Sequence, residues 1–232
     1  MVGGARVKRI GLLGGMSWQS SALYYSLINE AVAERLGGFH SADCLMVSVD
    51  FADIERMQHD GDWAAAGDRL AREAAALELA GADLLVLCTN TMHKVADVIE
   101  QSVGIPLLHL GDVTARAVLD AGLTTVGLLG TRFTMAEPFY RERLESYGLT
   151  VVVPTPEQQA VVNRIIYDEL VAGVVLDASR EQYLAIIDGL GADGVILGCT
   201  EIELLVGPAD TTLTLFPTTR LHALAAVDAA LA

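Results

Sequence analysis

A chain of 232 residues is long enough for one large domain or two of about 110 residues each. Hydrophobic residues make up 52%, enough for a well-buried core, and no apolar run reaches the roughly 18 residues a membrane-spanning helix needs. The net charge of −15, from 15 basic and 30 acidic residues, argues against a nucleic-acid binder, which needs a basic face.

The N-terminus, Met1 to Arg9, has no apolar core of a secretory signal and runs straight into a strand. Residues 8–13 read as a short buried strand and Gly14-Gly15-Met16-Ser17-Trp18 as a turn. Ser20 or Ser21 then caps a helix whose apolar face is Leu23, Leu27, Ile28, Ala31 and Val32, ended by Gly37-Gly38. Cys44 to Val49 is a second strand, Asp50 to His59 a loop with a short helix, and Gly61 to Leu79 an Ala-rich helix. Asp83 to Leu87 lacks alternation, as a strand buried on both faces should. Met92 to Ser102 reads as a helix and Pro106 to Leu110 as a fourth strand.

The second half repeats this plan. Asp112 to Leu119 is a helix, Thr125 to Leu129 a strand, Met135 to Tyr147 a helix and Leu149 to Val153 a strand. Helices over Glu157–Val171 and Ser179–Leu190 precede a strand over Gly194–Leu197. A short strand, Leu213–Leu215, and a tail helix, Thr218–Leu231, complete the chain. Strands alternating with helices imply parallel sheets covered on both faces.

Two stretches organise this pattern. Gly81-Ala82-Asp83-Leu84-Leu85-Val86-Leu87-Cys88-Thr89 matches Gly191-Ala192-Asp193-Gly194-Val195-Ile196-Leu197-Gly198-Cys199. Upstream, Ile10-Gly11-Leu12-Leu13-Gly14 matches Val126-Gly127-Leu128-Leu129-Gly130. The order is the same in both halves, so the chain reads as a duplicated α/β unit. The first lobe is expected over 1–113 plus the C-terminal 217–232, and the second over 114–216.

Ligands of parallel sheets sit at the carboxyl ends of the strands. Four loops leave such ends, after Leu13, Leu87, Leu129 and Leu197, and all four are built from small or polar residues. Their backbone N–H groups suit a small carboxylate or phosphate. The Gly11–Gly15 turn is neither a dinucleotide fingerprint nor a Walker loop. Cys199 follows Gly198 at a strand end, where a following helix start favours thiolate. Aligned without gaps, Thr89 falls opposite Cys199, and a one-residue gap would pair Cys88 with it instead. Neighbouring strand-end residues point to opposite sides, so one of Cys88 and Thr89 faces the site; the ungapped register chooses Thr89. His93 is placed to tune that tip, Cys44 and His109 read as core, and Trp18 and Trp63 as packing. Gln58 lies in a possible lid, Thr131 and Thr134 suit carboxylate binding, and Arg164 is a candidate clamp. No His, Asp or Glu cluster has metal-ligand spacing, and the three cysteines read as reduced thiols of a cytoplasmic protein.

These motifs resemble the aspartate/glutamate racemase family along nearly the whole chain, above all its broad-specificity or L-Asp/Glu-specific branch. They are Gly11-Leu12-Leu13-Gly14-Gly15-Met16-Ser17-Trp18, Cys88-Thr89-Asn90-Thr91-Met92-His93-Lys94, Leu128-Leu129-Gly130-Thr131-Arg132-Phe133-Thr134 and Gly198-Cys199-Thr200-Glu201-Ile202. The resemblance implies two pseudo-symmetric Rossmann-like α/β lobes with parallel four-stranded sheets, and an active site in the cleft between them. It implies an amino-acid substrate, no cofactor, a homodimer, and one acid/base group from each lobe. Most members carry Cys-Asn-Thr at the first tip; here Thr89 stands before Asn90-Thr91, which makes the catalytic pair Thr89 and Cys199. Substrate contacts carried over are Met16, Gln58, Asn90, Thr91, Thr131 and Thr200. The family's basic carboxylate binder is usually a lysine before Tyr167-Asp168-Glu169-Leu170, and Arg164 is the nearest candidate here. Related diacid isomerases or decarboxylases, and a weakly catalytic small-molecule binder, are the alternatives.

Overall fold

The computed structural model describes residues 7–232, so the expectation for residues 1–6 lies outside the described residues. Contacts divide the chain into two units. One runs to His109 and takes back His222–Ala232, and the other is Leu110–Leu221.

The first unit contains β1 (Ile10–Gly14), α1 (Trp18–Leu36), β2 (Cys44–Ser48), α2 (Phe51–Asp60), α3 (Trp63–Leu79), β3 (Leu84–Leu87), a 3-10 turn over Thr91–Val95, and α4 (Ala96–Gln101). β1 is the central strand, with β2 and β3 parallel on either side. Every residue of β1 and β3 is buried, which is why neither alternates in sequence. The two faces are still distinct. Ile10, Leu12 and Val86 pack with Tyr24 and Ile28 of α1, whereas Leu13, Leu85 and Leu87 pack with Leu70 and Ala74 of α3.

Three expectations change here. The cap of α1 is Ser17, which accepts from the Ser20 N–H (3.3 Å), and Ser20 and Ser21 lie inside the helix. The segment Asp50–His59 is mostly helix. Asp50 caps α2 by accepting from the Ala52 N–H, and left-handed Gly61 ends it. The expected fourth strand at Pro106–Leu110 is a single bridge, so this sheet has three strands. Leu85 N–H donates to the Pro106 carbonyl (2.8 Å) and Leu108 N–H to the Leu85 carbonyl (2.9 Å), pairing Leu85 with Leu107. The ladder stops there because the next helix already begins at Leu110.

The second unit contains α5 (Leu110–Asp120), β4 (Thr125–Gly130), α6 (Arg132–Ala136), α7 (Pro138–Glu145), β5 (Thr150–Val152), α8 (Pro156–Asp168), α9 (Asp177–Gly189), β6 (Gly194–Gly198), β7 (Thr214–Pro217) and the start of α10 (Thr218–Leu231). Its four parallel strands run in the order β5-β4-β6-β7. The helix expected over Met135–Tyr147 is broken. Pro138 holds Glu137 extended (φ −90°, ψ 150°) and opens a new helix. α8 starts with a reciprocal cap: Thr155 accepts from the Gln158 N–H, and the Gln158 side chain accepts from the Thr155 N–H.

The two sheets share a strand plan. β1 lies between β2 and β3, and β4 lies between β5 and β6. Leu13 stands opposite Leu87 in the first ladder, and Leu129 opposite Leu197 in the second. The sequence repeat equates Leu13 with Leu129, so Leu87 and Leu197 are equivalent rungs. Two residues further on, Thr89 and Cys199 are equivalent.

Candidate active site

The tip of β3 separates two neighbours. Cys88 is fully buried with Ile10, Tyr24 and Val86, its N–H bonded to the Leu13 carbonyl (2.9 Å). Burial pushes its thiol pKa far up, leaving an inert thiol. Thr89 keeps part of its surface. Its N–H donates to the Leu87 carbonyl at 2.8 Å, and its carbonyl lies 2.7 Å from His93 Nδ1. A carbonyl only accepts, so Nδ1 carries the ring proton. The short turn that follows buries Asn90 and Thr91.

Beside this tip three imidazoles meet edge to face. The ring centroids of His93 and His109 are 4.7 Å apart, and those of His93 and His222 are 5.9 Å apart. His222 Nε2 donates to the Leu108 carbonyl (2.7 Å), which leaves Nδ1 to accept from Tyr24 Oη (2.9 Å). Burial first, then the neighbouring histidines, pushes the His93 pKa well down. Burial likewise takes His222 to about 4, with His109 adding to the shift. Both rings are neutral at physiological pH.

Gly15 (φ 97°) turns the chain after β1 against the Val49 backbone, where no side chain fits. Its N–H donates to Ser21 Oγ at 2.8 Å. Met16 is buried in an apolar cluster with Leu13, Ile54 and Leu87. Gln58 is buried on α2, and its Nε2 lies 2.9 Å from Met92 Sδ. Met16, Gln58, Thr89, Asn90 and Thr91 all belong to the first unit.

In the second unit β6 ends at Gly198, and Cys199 leads into a 3-10 turn over Thr200–Leu204. Cys199 is partly buried, and its Sγ–H donates to Glu201 Oε2 at 3.0 Å. Desolvation, then the Glu201 carboxylate, pushes the thiol pKa well above its usual value. Glu203, two residues on, has a carboxyl raised to about 7, chiefly by burial, with Arg220 opposing and Glu201 adding. Thr200 Oγ1 lies 2.7 Å from Thr219 Oγ1. Thr131 caps α6, with Oγ1 3.3 Å from Thr134 Oγ1. Cys199, Thr200, Thr131 and Arg164 all belong to this unit.

Two carboxyl-end tips thus place Thr89 and Cys199 on equivalent rungs. A model of Asp/Glu/hydantoin racemases matches residues 13–226. The chain belongs to that family. Racemases are isomerases, and the family membership makes this protein an enzyme of that class. A broad-specificity amino-acid racemase, RacX of Bacillus subtilis (strain 168), is 24% identical over 205 residues, 84% of this chain and 86% of that one. The fold superposes on a Yersinia pestis protein assigned as an Asp/Glu racemase, with a TM-score of 0.93 and 48% identity over 97% of this chain and 100% of the other. It also superposes on an aspartate racemase homologue from Pyrococcus horikoshii OT3, with a TM-score of 0.85 and 33% identity over 96% and 99% of the two chains.

Arg164, the candidate clamp, already has a partner, and so do Lys94 and Arg132. Arg164 is exposed and pairs with Glu169 (3.2 Å). Lys94 Nζ lies 3.7 Å from the Trp63 ring centroid, and the Arg132 guanidinium 4.6 Å from that of Phe133. Among the described residues, no group of three or more His, Cys, Asp or Glu could hold a metal ion. Nor is any helix there long and apolar enough to cross a membrane. Sequence reasoning missed two features. Glu201 was legible only as the start of a turn, because a glutamate two places after a cysteine carries no sign of where its carboxylate points. His222 and Tyr24 had no motif at all, since their pairing joins residues 198 apart.

Proposed function

We propose that this protein is a cofactor-independent amino-acid racemase that exchanges the Cα proton between Cys199 and Thr89, each acting on one face of the substrate. The observation that carries the reading is the shared ladder register, which makes Thr89 and Cys199 equivalent at the ends of β3 and β6. A base on one face and an acid on the other invert the centre without turning the substrate. Cys199, as thiolate, takes the proton from the L-enantiomer, and the Thr89 hydroxyl returns one to the opposite face. The backbone N–H groups of the Gly15–Ser17, Asn90–Thr91 and Thr200–Glu201 turns stabilise the charge that develops in between. Met16, Gln58, Asn90, Thr91, Thr131 and Thr200 surround the substrate in this scheme. A hydroxyl is a far poorer base than a thiol, so the enzyme works faster from one enantiomer, and the family resemblance makes that the L-form.

The substrate is aspartate, glutamate or a broader set of amino acids. The partners of Arg164, Arg132 and Lys94 favour the broader set, because a second substrate carboxylate would have to compete with Glu169 for Arg164. A homodimer is part of the same proposal.

The test is proton NMR in D2O with L-Asp, L-Glu and L-homoserine and no added cofactor. Loss of the α-proton signal, absent with Cys199→Ala, is the expected result and names the substrate. No loss across a panel of amino acids would remove the racemase reading. A single thiol base also suits a diacid isomerase or decarboxylase, which would turn over a diacid without an α-amine.

A further inference from the structure

Past β3 the chain leaves the sheet at once. Cys88 N–H donates to the Leu13 carbonyl of β1, and Thr89 N–H turns back to the Leu87 carbonyl. Asn90 then opens the 3-10 turn over Thr91–Val95, and its side chain does not cap that turn. Buried carbonyls at such a tip need donors from elsewhere. His93 supplies two. Its backbone N–H donates to the Asn90 carbonyl (3.1 Å), and its ring Nδ1–H donates to the Thr89 carbonyl (2.7 Å).

Resting on the reading of the Asn90–Thr91 turn as a donor to the developing charge, we infer that His93 is a positioning residue that aims the Asn90 and Thr91 N–H groups at the substrate. A peptide unit is planar and, when trans, carries its C=O and N–H in opposite directions. The Thr89–Asn90 and Asn90–Thr91 peptides are both trans. Holding their two carbonyls on His93 therefore turns the Asn90 and Thr91 N–H groups away from it. The ring bond also polarises the Thr89–Asn90 peptide, which makes its N–H a stronger donor. A donor held in place before the reaction is worth most, because nothing has to reorganise when charge appears.

The ring is itself held. It is buried, and His109 and His222 meet it edge to face with centroids at 4.7 and 5.9 Å. His222 is anchored at both nitrogens, to the Leu108 carbonyl and to Tyr24 Oη. These contacts set the plane of the His93 ring, and the Thr89 carbonyl sets its tautomer. Ring and donor can be separated by substitution. Phenylalanine keeps a ring against His109 and His222 and has no donor. Asparagine keeps a donor nitrogen on Cγ, where Nδ1 stands, and has no ring.

The test compares His93→Phe with His93→Asn in α-proton exchange across a range of substrate concentrations. His93→Phe should lower kcat about 10-fold to 10²-fold and leave KM within about twofold, as for a contact felt only in the transition state. His93→Asn should keep kcat within about threefold of wild type, although it loses both ring contacts. A role in packing alone gives the reverse order, with the Phe variant active and the Asn variant impaired. That order, or equal losses in the two variants, overturns the inference. An effect of His93→Phe confined to KM, or none at all, overturns it as well. Should His93→Phe not fold, His93→Leu is the donor-free variant measured in its place. Wild-type enzyme that exchanges no α-proton would instead remove the racemase reading on which the inference rests.

Discussion

At the end of β3, adjacent side chains meet different surroundings. Cys88 is enclosed among apolar residues, and Thr89 retains accessible surface. A thiol at 88 therefore does not substitute for one at 89. This difference was legible in the repeat, because only the ungapped alignment sets Thr89 against Cys199. It also gives a direct check on the proposed asymmetry of the reaction. Thr89→Cys places a second thiol at the tip, so initial α-proton exchange from the D-enantiomer should rise toward the rate from the L-enantiomer. A variant that stays equally lopsided would remove Thr89 from the chemistry. Cys88→Ala should leave both rates unchanged and cost stability only. The contact between Cys199 and Glu201 was not legible, since it depends on a side-chain direction that spacing does not encode.

The elements hold these residues through backbone contacts as much as through packing. Where β4 and β6 end, the strands approach so closely that a Cβ at Gly198 would stand 2.7 Å from the Leu129 carbonyl oxygen. A Cβ at Gly130 would stand 3.0 Å from the Gly198 carbonyl oxygen. The opposing atoms are backbone and cannot rotate away. Gly198→Ala must therefore shift the end of β6, and Cys199 is the next residue. The variant should remain folded by circular dichroism and yet lose exchange activity by about tenfold to 10²-fold, the scale expected for an ångström of misplacement. Unchanged exchange would mean that the tip tolerates displacement.

The same scale explains what sequence could and could not deliver. Buried parallel strands announce themselves as unbroken apolar runs, so β1, β3, β4 and β6 were readable. The break at Pro138 was also written in the sequence, but the apolar periodicity continues across it and masks it. The segment at Pro106 has strand-like residues, and it pairs through one rung only because α5 begins at Leu110. The competing start of a helix is tertiary information.

Over the whole molecule, the last helix returns to the first unit. α10 starts with Thr218 donating to the Leu197 carbonyl (2.9 Å), and its later residues Ala223, Ala226, Val227 and Ala230 enter the core around Ile10, Ile28 and Val86. His222 fixes the point of entry by joining the Leu108 carbonyl to Tyr24. The imidazole is held neutral: its pKa is about 4, against an unfolded value near 6.5. Between those values the unfolded chain binds more protons than the folded one, so stability falls as pH drops below about 6.5 and this loss is complete near about 4. The gap corresponds to about 3 kcal/mol for this one group. His93 shifts in the same direction and adds to the slope. Melting temperature should therefore drop steeply from pH 7 to pH 5. His222→Asn, which cannot be protonated there, should start from a lower melting temperature at pH 7 and lose less of it on acidification. A variant with the wild-type slope would show that the acid sensitivity lies elsewhere than at the junction between the last helix and Tyr24.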